Sequence, residues 1–167
     1  MKLSNDIIKQ IVQEYENFKD YMYATSPKET RDRLGQFFTP ASVTLEMISK
    51  LPADAFTGNV LDPTSGSGNL LAACLIAGAD SNRIYGNDCD SIMVKACRER
   101  LNKVCDLLGK PRINDWQIHC GDATDSFCLT YFGPDYKQKL EEHYLGDQHS
   151  LFPMLTTEQE EFLKGVD

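Results

Sequence analysis

No run in the chain approaches the roughly 20 consecutive apolar residues that a membrane-spanning helix needs, so a bilayer-crossing segment is not expected. The opening MKLSNDIIKQ lacks the basic-then-apolar order of a secretory leader, and the expected location is the cytoplasm. Positive charge is scarce, with 17 Lys and Arg against 25 Asp and Glu and a net charge of -8. So acidic a chain does not grip a polyanion through its overall field, because phosphate contacts supply most non-specific affinity. The six cysteines, Cys74, Cys89, Cys97, Cys105, Cys120 and Cys128, form no C-x-x-C pair and match no histidine spacing, so no metal site is expected. Isolated in apolar or helical surroundings, they read as reduced, partly buried thiols. The string G-x-x-x-x-G-K-[ST] is absent, and with it one common phosphate cradle.

What is present suits one compact domain over 1–167, with 41% hydrophobic and 25% charged residues. Ile8, Ile11, Val12, Tyr15, Phe18 and Met22 recur at three- and four-residue steps, predicting an amphipathic helix over 5–24 with Ser4 as its cap. After Thr25, Ser26 and Pro27 a polar link leads to GQFFTP at 35–40. A short helix is then expected over 41–50, with Val43, Met47, Ile48 and Leu51 inward.

From Asn59 onward strand, turn and helix alternate. Val60 and Leu61 form a strand and Leu70 to Ala77 a helix, Ile84 and Tyr85 a strand and Ser91 to Leu108 a helix, and Trp116 to Cys120 a third strand. That order implies parallel strands joined by crossovers. Further on, Ser126 to Phe132 is expected to be a fourth strand, Tyr136 to Tyr144 a helix, and Thr157 to Lys164 a last helix with a capping box at Thr157 and Glu160. The basic residues Lys95, Arg98, Arg100 and Lys103 fall on one predicted helix, as a local basic patch or as an ordinary solvated face.

The chemistry-bearing residues lie where strands end. In VLDPTSGSGNLL, Gly66 and Gly68 let the backbone approach a ligand closely, and the following helix offers free N–H donors. Leu71 stands where a dinucleotide fingerprint has its third glycine, and Asp62 suits a cationic group, so the loop fits a sulfonium amino acid better than a polyphosphate. The rival reading is a turn that uses glycine only to fold tightly. Asp88 ends the second strand, where a carboxylate can accept both hydroxyls of a ribose; Asp90 beside it can instead cap a helix. Asp122 ends the third strand on the same rim and can accept from an adenine amine, with the Ala123 N–H facing the ring; its rival role is a solvent-exposed turn.

GQFFTP, DPTSGSGNLL, GND and GDA, in this order over residues 35–123, resemble the adenine-specific amino methyltransferases, particularly the modification subunits of type I restriction systems. The first two strings are specific and the last two generic. The resemblance implies an α/β, Rossmann-like methyltransferase fold with a doubly wound, mostly parallel sheet, here truncated. It divides the chain into a helical segment at 1–30, a cofactor-binding core at 35–123 and an atypical part at 124–167. It also implies S-adenosylmethionine as cofactor and methyl transfer to the 6-amino group of adenine in DNA. Carried over by position, Phe37, Thr39 and Pro40, then Asp62, Pro63, Thr64, Ser65, Gly66, Gly68 and Asn69, would meet the methionine portion. Asp88 would hold the ribose, Cys89 would lie against the adenine, and Asp122 and Ala123 would bind its edge. Phe37 and Phe38 have a rival role as core anchors of their loop.

The family's N-P-P-Y or D-P-P-Y string occurs nowhere in the chain. There the first side chain and a carbonyl accept hydrogen bonds from the target amine, while the aromatic ring stacks on the flipped base. The nearest string, GPDY, keeps Pro134 and Tyr136 as weak catalytic candidates, but Gly133 has no acceptor side chain, and a plain turn is the rival. About 45 residues follow Asp122, short for further strands and a DNA-reading domain. Three readings follow: a DNA adenine methyltransferase reaching DNA through a partner subunit, a non-catalytic cofactor-binding or anti-restriction module, and a methyltransferase for another substrate. A protein partner or a homo-oligomer is expected, and no membrane.

Overall fold

The computed structural model describes residues 5–25, 27–52 and 54–146. Its elements are α1 (Asn5–Thr25), α2 (Lys28–Leu34), α3 (Ala41–Ser49), β1 (Val60–Asp62), α4 (Asn69–Ala77), β2 (Ile84–Asp88), α5 (Ser91–Leu108), β3 (Ile118–Cys120), α6 (Ser126–Thr130) and α7 (Tyr136–Gly146). The expected Ser4 cap and the helix at 157–164 lie outside the described residues. Among the described residues no helix is long and apolar enough to cross a membrane.

The strands form a parallel sheet in the order β1-β2-β3, with Asp62 opposite Gly86 and Asp88 opposite Cys120. The strands are parallel, as the strand and helix alternation predicts, in the α/β, Rossmann-like architecture that the family resemblance implies. The helix between β1 and β2, NLLAACLIA, is apolar on nearly every side, as a helix enclosed by neighbours must be. It packs between the sheet, α3 and α5. The amphipathic α5 turns Met93, Val94, Cys97, Leu101, Val104 and Cys105 inward, and Asp90 caps it by accepting the Ile92 N–H at 2.9 Å. These side chains close a core with Leu71, Leu75, Ile84 and Ile118, each fully buried aliphatic side chain contributing roughly 1.5–3 kcal/mol.

Three expectations are corrected. Residues 126–130 form the helix α6 rather than a fourth strand. Asp125 caps it, accepting the Phe127 N–H at 2.9 Å, and Phe127, Cys128 and Tyr131 fall at helical rather than alternating spacing, with the Phe127 and Tyr131 rings stacked. The polar link before GQFFTP contains α2. In α3 the small residues Ala41 and Thr44 are buried and Ile48 packs on the core as expected, while Val43 and Met47, with Leu51 just beyond the helix, are exposed. Close approach of α3 to α4, which presents Ala72 and Ala73, favours small side chains at the contact.

Tyr85 and His119 lie on the sheet face away from α4 and α5. Phe132 packs on both rings, and Tyr136 stacks on His119 with centroids 3.5 Å apart. Leu61, next to Tyr85 in the register, is 43% exposed.

Candidate cofactor site

Because the strands are parallel, their carboxyl ends share one rim, with β2 and β3 ending level, Asp88 opposite Cys120, and β1 ending two residues short of β2, Asp62 opposite Gly86. The turn after β1 folds over the end of β2, the Ser65 N–H donating to the Asn87 carbonyl at 2.8 Å. The Gly121 N–H donates to the Asp88 carbonyl at 3.0 Å and extends the seam to β3. Beneath it, the fully buried Asn87 side chain donates to the Gly121 carbonyl at 2.8 Å and the Pro63 carbonyl at 3.3 Å. Asn87 thus ties the three strand ends together, a role the sequence reading missed although the residue sits inside GND.

The two glycines of the turn do different work. Both have positive φ, 51° at Gly66 and 79° at Gly68. A Cβ on Gly68 would stand 2.6 Å from Cys97 Sγ, so this position permits close packing of the turn on α5. A Cβ on Gly66 would meet nothing within 4 Å, so that side of the turn faces open space.

Asp88 is half-buried, and its two oxygens accept the Gly66 N–H at 2.8 Å and the Asp90 N–H at 2.9 Å. Burial pushes its carboxyl above the ordinary carboxylate range. Asp62 accepts the Thr64 N–H at 3.1 Å and is likewise raised, by burial first and also by the charge of Asp88. Asp122 differs: it is exposed, and one oxygen takes both the N–H and the hydroxyl of Thr124, at 2.8 and 2.7 Å, holding its carboxyl below the ordinary range. Cys89 is exposed beside Asp88, with its thiol raised by partial burial and then by that carboxylate. Pro63 and Thr64 are exposed, Ser65 is buried and Ala123 half-buried.

Residues 36–40 form the rim's outer wall. The Gln36 side chain donates to Asp90 at 2.6 Å, so Asp90 both caps α5 and holds this loop. Phe38 packs edge-on against Phe18 and Tyr23, whereas Phe37 is 80% exposed, which splits the two phenylalanines between anchor and free surface. The Thr39 carbonyl accepts from the Tyr15 hydroxyl at 2.6 Å and from the Asn69 amide at 2.9 Å, while Pro40 leads exposed into α3.

Tyr136 is buried, its ring stacked on His119 and its hydroxyl 3.6 Å from Cys128 Sγ, while Pro134 is exposed. The four basic residues of α5 do not make one patch. Lys95 and Lys103 are exposed, Arg98 donates to the Ile118 carbonyl at 2.7 and 3.2 Å, and Arg100 is buried between helices. Arg100 lines a small cleft among the helices with Ile11, Ala41, Leu45 and Asn69. Among the described residues no three His, Cys, Asp or Glu are grouped to hold a metal.

A family model described as N-6 DNA Methylase matches residues 5–122. The type II methyltransferase M.VspI of Vibrio sp. (strain 343) is 26% identical over 104 residues, which cover 62% of this chain and 26% of that protein. A chain of the cryoEM structure of a DrdV-DNA complex superposes with a TM-score of 0.48 at 20% identity, covering 95% of this chain and 15% of that one. The family match spans α1, the 36–40 wall, the glycine turn and all three strand ends, and the chain belongs to the N-6 DNA methylase family.

Proposed function

We propose that the rim binds S-adenosylmethionine and that the chain acts as the cofactor-holding part of an adenine amino methyltransferase. The observation that carries this reading is the pairing of Asp62 and Asp88, two part-buried carboxylates raised above their usual range beside the open side of Gly66. An ammonium near Asp62 would relieve its burial cost. Each Asp88 oxygen accepts one backbone N–H and keeps acceptor capacity for a ribose hydroxyl. Asp122, exposed and ionised, is assigned the adenine amine, with the Ala123 N–H facing the ring, Cys89 beside the base and Phe37, Thr39 and Pro40 closing the methionine end. When bound, the cofactor supplies a methyl group on a positively charged sulfur.

The acceptor side calls for a second contributor. No N-P-P-Y string is present, and Tyr136, the aromatic residue of GPDY, is already stacked on His119. DNA is therefore assigned to a contributor outside this sequence, such as a partner subunit, that brings the base-holding string and a basic surface. The same two observations favour a second reading, in which the chain binds the cofactor without performing transfer.

Calorimetric titration with S-adenosylmethionine, followed by labelled-methyl transfer onto DNA, RNA and protein, tests these readings. The expected result is binding without labelling of DNA by the chain alone. An absence of binding overturns the cofactor assignment, label in DNA from the chain alone overturns the need for a partner, and label in RNA or protein names a different acceptor.

A further inference from the structure

Arg100 is buried, with 8% of the residue exposed, yet no ion pair forms at it among the described residues. Its guanidinium lies 4.3 Å from the centroid of the Tyr15 ring, and Nη2 donates to Asn69 Oδ1 at 3.1 Å. Nε and Nη1 are buried without a hydrogen-bond partner. An apolar side chain of similar length would avoid that desolvation, so local stability is a poor account of an arginine here.

The two groups it touches explain it better. Tyr15 on α1 and Asn69 at the start of α4 send their far ends to one atom, the Thr39 carbonyl oxygen, at 2.6 and 2.9 Å. An asparagine amide offers an acceptor at one end and donors at the other. With Arg100 donating to Oδ1, Nδ2 is left to face Thr39 and the Thr44 hydroxyl, the latter at 2.7 Å. That donor anchors the Oδ1 end and adds to the bias already set by the Thr39 carbonyl, since a flipped amide would turn Oδ1 toward that carbonyl and Nδ2 toward the guanidinium. Asn69 directly follows Gly68, so the grip falls at the glycine-turn end of the rim, where Asp62 stands; the ribose end is tied to the same loop separately, through Gln36 and Asp90.

We propose that Arg100 is a positioning residue: by holding the Tyr15 ring and the Asn69 amide it directs both onto the Thr39 carbonyl and fixes the 36–40 loop against the amino-acid end of the cofactor site. This rests on the S-adenosylmethionine reading given above. The role predicts selectivity within the cofactor, since only the part beyond the ribose would sense the loop.

The test compares S-adenosylmethionine with 5′-methylthioadenosine, which keeps the adenosine and sulfur but has no amino-acid portion, on the chain and its Arg100→Met, Arg100→Lys and Tyr15→Phe variants. Arg100→Met should weaken S-adenosylmethionine about tenfold and leave 5′-methylthioadenosine within about twofold, the loss coming from a loop no longer held in its binding geometry. Arg100→Lys, which keeps a cation over the ring and a donor to Asn69, should recover most of the loss. Tyr15→Phe keeps the ring but drops one of the two bonds to Thr39, and should give a smaller loss of the same selectivity. Hydrogen exchange without ligand should show faster exchange in Arg100→Met at Ala41, whose N–H donates to Glu16 at 3.2 Å where the loop enters α3. Equal weakening of both ligands, or unchanged exchange at that amide, overturns the role of Arg100 alone. A chain that binds neither ligand overturns the cofactor reading and this role with it.

Discussion

The carboxylate of Asp88, at the end of β2, accepts the backbone N–H of Gly66, in the turn after β1, at 2.8 Å. One side chain therefore shapes the glycine turn and presents the assigned ribose contact. Asp88→Ala removes both roles and is expected to weaken S-adenosylmethionine and 5′-methylthioadenosine alike, by about 100-fold, the scale of one or two hydrogen bonds to a charged acceptor. Calorimetry on both ligands checks this. Unchanged affinity would remove Asp88 from the site.

Gly66 and Gly68 should separate stability from binding. Gly68→Ala combines a left-handed backbone with a Cβ 2.6 Å from Cys97 Sγ, and should cost roughly 2–4 kcal/mol of folding stability. Gly66→Ala meets the same backbone strain in open space and should cost only about 1–2 kcal/mol, while blocking the ligand's approach to the turn. Urea denaturation alongside ligand titration measures both effects. Equal stability losses would mean that the contact with Cys97 is not limiting.

How far these features were legible depends on the range of the interaction. The helix α5 could be read locally because Asp90 caps it, its apolar spacing is helical, and Gly109 and Pro111 follow its last turn. The alternation of strand and helix was enough to anticipate Asp62 and Asp88 as the last residues of β1 and β2, whereas β3 ends at Cys120 and Asp122 falls in the turn beyond it; their relative levels depend on a register that no local pattern encodes. The outward face of α3 was misread because hydrophobicity marked Val43 and Met47 as inward, whereas closeness to α4 selected Ala41 and Thr44. Arg100 read as one of several surface charges. Its burial follows from Tyr15 and Asn69, which are remote in sequence and meet it only once α1, α4 and α5 pack.

Cys89 offers a chemical probe of the rim. It is the exposed cysteine, while Cys74, Cys97, Cys105, Cys120 and Cys128 are buried and no disulfide links any of the six. Since the thiolate is the reactive form, and burial with the Asp88 charge pushes this thiol up, alkylation near neutral pH should be slower than at a free cysteine and should accelerate as pH rises. Peptide mass spectrometry should find Cys89 modified before the others. Saturating S-adenosylmethionine is expected to slow its modification several-fold, and the absence of protection would move the adenine away from Cys89.

His119 should govern the acid limit of the fold. It is fully buried between the Phe132 and Tyr136 rings, with Nδ1 3.4 Å from the Cys128 carbonyl. Burial lowers its pKa to about 4, and the positive charge of Arg98 acts in the same direction. Because the folded state holds the proton less tightly than the unfolded chain, where the value is 6.5, the neutral ring's contribution is complete above that pH and is lost as pH falls toward about 4. That shift corresponds to about 3 kcal/mol. Asp62 and Asp88 act oppositely: their raised folded values mean that protonation relieves a burial cost, so they add stability as pH falls through those values and offset part of the loss. Comparing wild type with His119→Leu across pH 4–7 by urea denaturation isolates the histidine contribution, since the carboxylates are common to both. The difference should change by about 3 kcal/mol over that interval, and a flat difference would mean that the aromatic layer opens to admit the proton without unfolding.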